Sequence, residues 1–208
     1  MSVVDRVNAL SRKVPSWAVY TVGALPALWL LWLALSNGLG ADPVKAIERG
    51  LGERGLQFLI ASLCITPLRW LGVNLIKHRR AIGLIAFFYI VLHLVAWVWL
   101  DMGLRWSEVV ADLYKRQYII VGMIGLLAML PLAVTSSNRA IRAMGPQAWG
   151  RLHRLAYVAG IAGAVHYLML VKVWSLQPLT YAGIVAALLL ARVLRSLSRR
   201  GLFGAKAA

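Results

Sequence analysis

Six runs of largely apolar residues, most of them close to twenty long, follow one another along this chain, separated by short polar turns. They cover roughly residues 17–36, 55–73, 81–100, 118–134, 149–172 and 179–197. A bilayer core about 30 Å thick is crossed by about 20 apolar residues in a helix. In lipid every backbone N–H and C=O must be satisfied within the segment, so such runs fold as helices. The expected class is therefore all-α: a polytopic membrane protein, a six-transmembrane-helix bundle. The first run is too long for a signal-peptide core, and Asn37-Gly-Leu-Gly is a poor cleavage sequence, so this helix is expected to be retained. With 61% hydrophobic residues and a mean hydropathy of +0.72, no soluble domain remains to be assigned.

The charges give the orientation. Of the 23 Lys and Arg, sixteen fall in the two tails, the second and fourth turns, and the adjoining helix ends, whereas six of the seven acids fall in the first and third turns. Basic residues stay on the cytoplasmic side of a membrane, so both termini are expected there. The expected divisions are an amphipathic cytoplasmic segment at 1–16, the membrane domain at 17–197 and a basic cytoplasmic tail at 198–208. The net charge of +16 is then a topological signal, and no nucleic-acid partner is implied. Trp17, Trp70 and Trp149 are expected at the inner interface, and Trp99, Trp106 and Trp174 at the outer. The single Cys64 excludes disulfides and thiolate clusters and reads as a small hydrophobe on a helix face.

Three histidines lie inside the apolar runs, and ionisable groups at that depth mark functional sites by default. His93 is about twelve residues, or roughly 18 Å, into an outward-going helix. His166 reaches a comparable depth on another, so the two can face each other across the bundle. Two facing imidazoles form the ligand set of a six-coordinate b-type haem. The bland alternative is a histidine bonded to a neighbouring hydroxyl or carbonyl. His153 lies one turn inside the cytoplasmic end of the fifth run, roughly 20 Å from His166 along a single continuous helix. His78 stands in a basic turn and reads as a solvated surface residue. Arg79 and Arg80 cap the third run, and Arg151 and Arg154 flank His153. A guanidinium at such a place can hold a haem propionate, a flavin phosphate or a lipid phosphate, or simply mark the inner face. No GxGxxG or Walker sequence is present, and a flavin or NADPH domain has no room.

Two stretches carry a family resemblance. His78-Arg-Arg-Ala-Ile-Gly-Leu with His93 beyond it, and Gly145-Pro-Gln-Ala-Trp149-Gly-Arg-Leu-His153-Arg-Leu-Ala-Tyr157 with His166-Tyr167 and Val171-Lys172, resemble the MsrQ (YedZ) family. These are the haem-binding membrane subunits of MsrPQ methionine sulfoxide reductase systems, within the broader ferric-reductase-like transmembrane group. The resemblance covers the whole chain. It implies a multi-pass protein of the bacterial inner membrane that carries haem b, one or two, and FMN. Its electrons would come from the quinone pool or a cytoplasmic flavin reductase. They would pass to a periplasmic molybdopterin reductase, an MsrP-like partner, for repair of oxidised periplasmic proteins. On this reading the chain is an electron-transfer subunit with no catalytic residue of its own.

His93, His153 and His166 fall on the family's haem-associated histidines. NADPH oxidases of the wider group carry two histidines on each of two helices, whereas the third run here has only His93. Arg79 or Arg80 occupies the place of the missing partner, and arginine does not ligate iron. A second haem at His153 would thus need another axial ligand or none, or the site holds flavin. Two other readings stay open: a stand-alone ferric or oxygen reductase, and a non-redox membrane scaffold or transporter. The absence of intramembrane carboxylates speaks against transport.

Overall fold

A computed structural model describes residues 1–171 and 175–199 of the chain. Lys172, Trp174 and the tail from residue 200 onward lie outside the described residues. Every regular element among the described residues is helical. In order these are α1 (Val3–Lys13), α2 (Ser16–Leu35), α3 (Pro43–Trp70), α4 (Ile76–Val95) with a π-helical extension (Ala96–Asp101), α5 (Trp106–Lys115), α6 (Gln117–Val134), α7 (Asn138–Met144), α8 (Pro146–Leu152), α9 (Leu155–Leu170) and α10 (Leu176–Arg199). Four are long and apolar enough to cross a membrane: α2, α4 with its extension, α6 and α10.

The remaining two apolar runs take forms the sequence did not suggest. The connector and second run are one helix of 28 residues, α3. Asp42 caps it by accepting the Lys45 N–H at 3.1 Å, and Pro43 occupies the first turn, where its missing N–H costs nothing. The charges from Lys45 to Arg54 lie on its first half and do not interrupt it. The expected fifth helix is two, α8 and α9, joined at His153 and Arg154. There Arg154, Ala156 and Tyr157 N–H donate to the carbonyls three residues back, which tightens the turn. The separation reckoned along a single continuous helix therefore does not carry from His153 to His166.

Two helix pairs dominate the packing, α3 on α4 and α6 on α9. Leu59, Ala86, Ala128, Met129 and Ala159 bring all four together in one buried cluster. Alanines and glycines at these contacts let the backbones approach closely, which drives helix association where lipid is as apolar as the side chains. α10 joins α3 and α9 through Leu56, Ile60, Ala164 and Val185. Glu53 Oε1 accepts from Gln57, Gln177 and Tyr181 at one end of that contact, and Arg192 donates to the Leu63 carbonyl toward the other. Cys64 packs against the same cluster, as a small hydrophobe should.

α2 lies on the outside, with Gly23 its only buried residue and Trp17, Trp29 and Trp32 exposed, as a lipid-facing helix requires. Tyr89 from α4 inserts into its ladder: the hydroxyl donates to Gly23 O at 2.8 Å and accepts from Ala27 N at 2.9 Å. α1 is stapled to the α3–α4 turn, where Asn8 Nδ2 donates to Gly72 O and Lys77 Nζ to Arg12 and Val14 carbonyls. That staple buries His78, contrary to the solvated placement expected from its basic neighbours; its Nε2 lies 3.1 Å from Ser11 O.

Candidate functional site

The two principal helix pairs each contribute one histidine toward the other. His93 projects from α4 and His166 from α9, and their ring centres are 6.2 Å apart with planes 81° to each other. Each ring is held from behind by the helix its own helix packs on. His93 Nδ1 lies 2.8 Å from Glu48 O of α3, and His166 Nδ1 lies 2.7 Å from Tyr118 O of α6. A carbonyl only accepts, so Nδ1 carries the proton in both rings and Nε2 is left as the unprotonated, electron-donating nitrogen. Neither Nε2 has a hydrogen-bond partner among the described residues.

The device is the same on both sides. Four residues after each accepting carbonyl stands a glycine against which the ring lies. A Cβ at Gly52 would come within 3.0 Å of His93 Nδ1, and one at Gly122 within 2.8 Å of His166 Nδ1. The imidazoles thus dock directly on backbone, which fixes their tilt as well as their tautomer. Sequence reasoning found the histidines and missed these supports. The available signal was a glycine pair on each supporting helix, Gly52 with Gly55 and Gly122 with Gly125, marking where another element approaches.

This geometry suits one kind of guest. Among the described residues no group of three or more His, Cys, Asp or Glu could hold a bare metal ion. Two imidazole nitrogens complete the ligand set of a metal whose remaining ligands come from a macrocycle. With metal–nitrogen bonds of about 2.0 Å and about 1.1 Å from nitrogen to ring centre, two axial imidazoles on one metal have centres about 6.3 Å apart. The observed 6.2 Å fits. Outer-sphere Nδ1–H···O=C bonds of this kind commonly orient metal-bound histidine and raise its basicity.

The other candidates lie apart. No hydrogen bond or ring contact joins His153 to the pair among the described residues. Its Nε2 is 3.5 Å from the Thr135 hydroxyl, and its ring packs on Trp149 at 3.8 Å between centres, while Trp149 Nε1 donates to Thr135 O. Arg80 donates to Asn138 at 2.6 Å and so faces away from Arg79, which is half-buried and lines a cleft with Arg69 and Arg195. Arg151 and Arg154 are exposed, without an ion-pair or hydrogen-bond partner among the described residues. Glu48, whose carbonyl anchors His93, has its own carboxyl pushed up to about 6 by burial and by the nearby charge of Asp101.

Residues 53–164 match the ferric reductase like transmembrane component family. A protein of Brucella anthropi is 47% identical over 184 residues, 88% of this chain and 83% of its own length, and carries the name protein-methionine-sulfoxide reductase heme-binding subunit MsrQ. One of Brucella ovis with the same name is 47% identical over 180 residues, 86% of this chain and 81% of its own. The chain belongs to the MsrQ family. No solved structure matches it.

Proposed function

We propose that the chain is a haem-binding electron conduit of the bacterial inner membrane, with His93 and His166 as the axial ligands of one b-type haem. The observation that carries this is the pair itself: two imidazoles at the spacing one iron requires, each with Nδ1 bonded outward and Nε2 free to ligate. The bound haem would supply reversible one-electron transfer. The residues around it do the rest. Glu48 and Tyr118 carbonyls hold the tautomer and Gly52 and Gly122 set the rings, so that His93 and His166 would hold the iron through their Nε2 atoms. The bundle has six crossings on this reading: α2, the second half of α3, α4, α6, α9 and α10. Both termini and the 198–208 tail are cytoplasmic, 1–16 is an interfacial segment, and 17–197 is the membrane domain.

Electrons come from the quinone pool or a cytoplasmic flavin reductase and leave for an MsrP-like molybdopterin methionine sulfoxide reductase in the periplasm. The relatives' names support the methionine sulfoxide system. His153, with Thr135, Trp149 and the Arg79, Arg151 and Arg154 guanidiniums nearby in sequence or space, is the inner-side site for FMN or a second haem. The test is reconstitution. Reduced chain in proteoliposomes should be reoxidised by the molybdopterin partner plus methionine sulfoxide, and not by ferric chelate alone. Rapid ferric-chelate reduction without the partner would instead favour a stand-alone reductase.

A further inference from the structure

At the end of the bundle away from the histidine pair, the last turn of α3, the first of α4 and the last of α10 enclose a cleft of about 520 Å³. Four arginines line it, Arg69, Arg79, Arg195 and Arg199, together with Thr66, Trp70 and Ile76. Arg79 and Arg195 are half-buried. No salt bridge reaches any of the four among the described residues, and no acid lines the cleft. Asp5, the one carboxylate of the N-terminal segment, is occupied in capping α1, where it accepts from Ser2. Arg195 lies over the Trp70 ring at 4.4 Å, which fixes its plane, and its Nε is buried without a partner. Partly desolvated guanidiniums are costly unless an anion pairs with them. Their planar forks match the oxygens of phosphate. Trp70 and Ile76 add an apolar wall beside the charged one.

We propose that this cleft binds a phosphate ester, gripped by Arg79 and Arg195 and closed at its mouth by Arg69 and Arg199. The ester reaches it from one of two sources, the headgroup of an acidic phospholipid or a soluble phosphate. The site is separate from the His93–His166 haem assignment and does not depend on it, although Arg79 also borders the inner-side site proposed at His153. Basic clefts between membrane helices at the interface are fitted to anionic headgroups. Each basic residue at an anionic lipid surface is worth about fivefold in affinity, so replacing two should cost about thirtyfold.

The experiment is native mass spectrometry of the full-length, cofactor-loaded protein. It is exposed to phosphatidylglycerol against phosphatidylcholine, with inorganic phosphate in a second arm. The proteins compared are the wild type, R79Q/R195Q, and R139Q/R142Q as a charge-matched control at two exposed arginines of α7. Selective phosphatidylglycerol retention that falls about thirtyfold in R79Q/R195Q and holds in R139Q/R142Q supports the lipid source. Displacement of that lipid by millimolar phosphate, lost in the same variant, supports the soluble source. If the half-buried pair cannot be replaced without misfolding, R69Q/R199Q at the mouth is read in its place, with loss of retention again expected. Equal retention in wild type, variant and control overturns the site. The haem absorbance of each sample is recorded in parallel, so a failed haem assignment and a failed phosphate site are told apart.

Discussion

Gly122→Ala is the perturbation that most sharply separates the support of the site from its ligands. The added Cβ would stand 2.8 Å from His166 Nδ1, and the obstacle is a ring already held at 2.7 Å from Tyr118 O. Ordinary contact begins near 3.4 Å, so the ring must withdraw by roughly 0.6 Å, which stretches the hydrogen bond toward or past the ~3.2 Å limit of a good N–H···O contact. Loss of an outer-sphere bond of this kind typically costs about 10–100-fold in metal affinity, or about 1.4–2.8 kcal/mol. The helix itself gains, because alanine is favoured over glycine by up to about 1 kcal/mol within a helix. The expected variant is therefore folded and poor in haem. Circular dichroism should show undiminished helix while haem titration of the apoprotein shows the weaker binding. Gly52→Ala, whose Cβ would lie 3.0 Å from His93 Nδ1, should show the same defect more mildly. Gly183→Ala on α10, where a Cβ meets nothing within 4 Å, should bind haem normally. Wild-type affinity in Gly122→Ala would refute the idea that the ring is seated on that glycine.

Other outcomes follow from the same contacts. His153→Ala should leave the spectrum of the His93–His166 haem in place, and should remove only a second spectral component or bound flavin, checked by pyridine haemochrome and flavin content per chain. Glu48 lies in the polar first half of α3, and its folded pKa of about 6 is above the carboxylate norm, mainly through burial. Its ionisation thus opposes the fold: the penalty is absent below the unfolded pKa and complete once pH exceeds 6. Glu48→Gln should accordingly raise the melting midpoint at pH 7.5 and flatten its decline between pH 4.5 and 6.5. Tyr89→Phe removes the hydroxyl inserted between Gly23 and Ala27 and should lower stability by about 1–2 kcal/mol, read by thermal denaturation in detergent, without altering haem content.

The sequence made the histidine pair legible because depth along a membrane helix is a count of residues, and the count placed His93 and His166 level. The supports were not legible in the same way. A carbonyl leaves no trace in the sequence, and a glycine in an apolar helix has many uses besides seating an imidazole. Charge misled twice. The run from Lys45 to Arg54 reads as a short interfacial helix of its own but continues α3, since a helix leaving the bilayer can carry charges without breaking. His78 sat among cations and looked solvated, yet α1 folds back over it through contacts more than sixty residues apart in the chain. Arg79 and Arg80 share one reading as caps of the third run, yet they part in the structure. Consecutive helical residues diverge by about 100°, which sends one into the arginine cleft and the other to Asn138.

The most direct test of the paired imidazoles is electron paramagnetic resonance of the oxidised, haem-loaded protein. Two histidines on one ferric iron with planes 81° apart should give a low-spin, strongly anisotropic signal, converted to high spin in His93→Ala and in His166→Ala. A wild type that lacks the low-spin signal, or a low-spin signal that survives both substitutions, would contradict it.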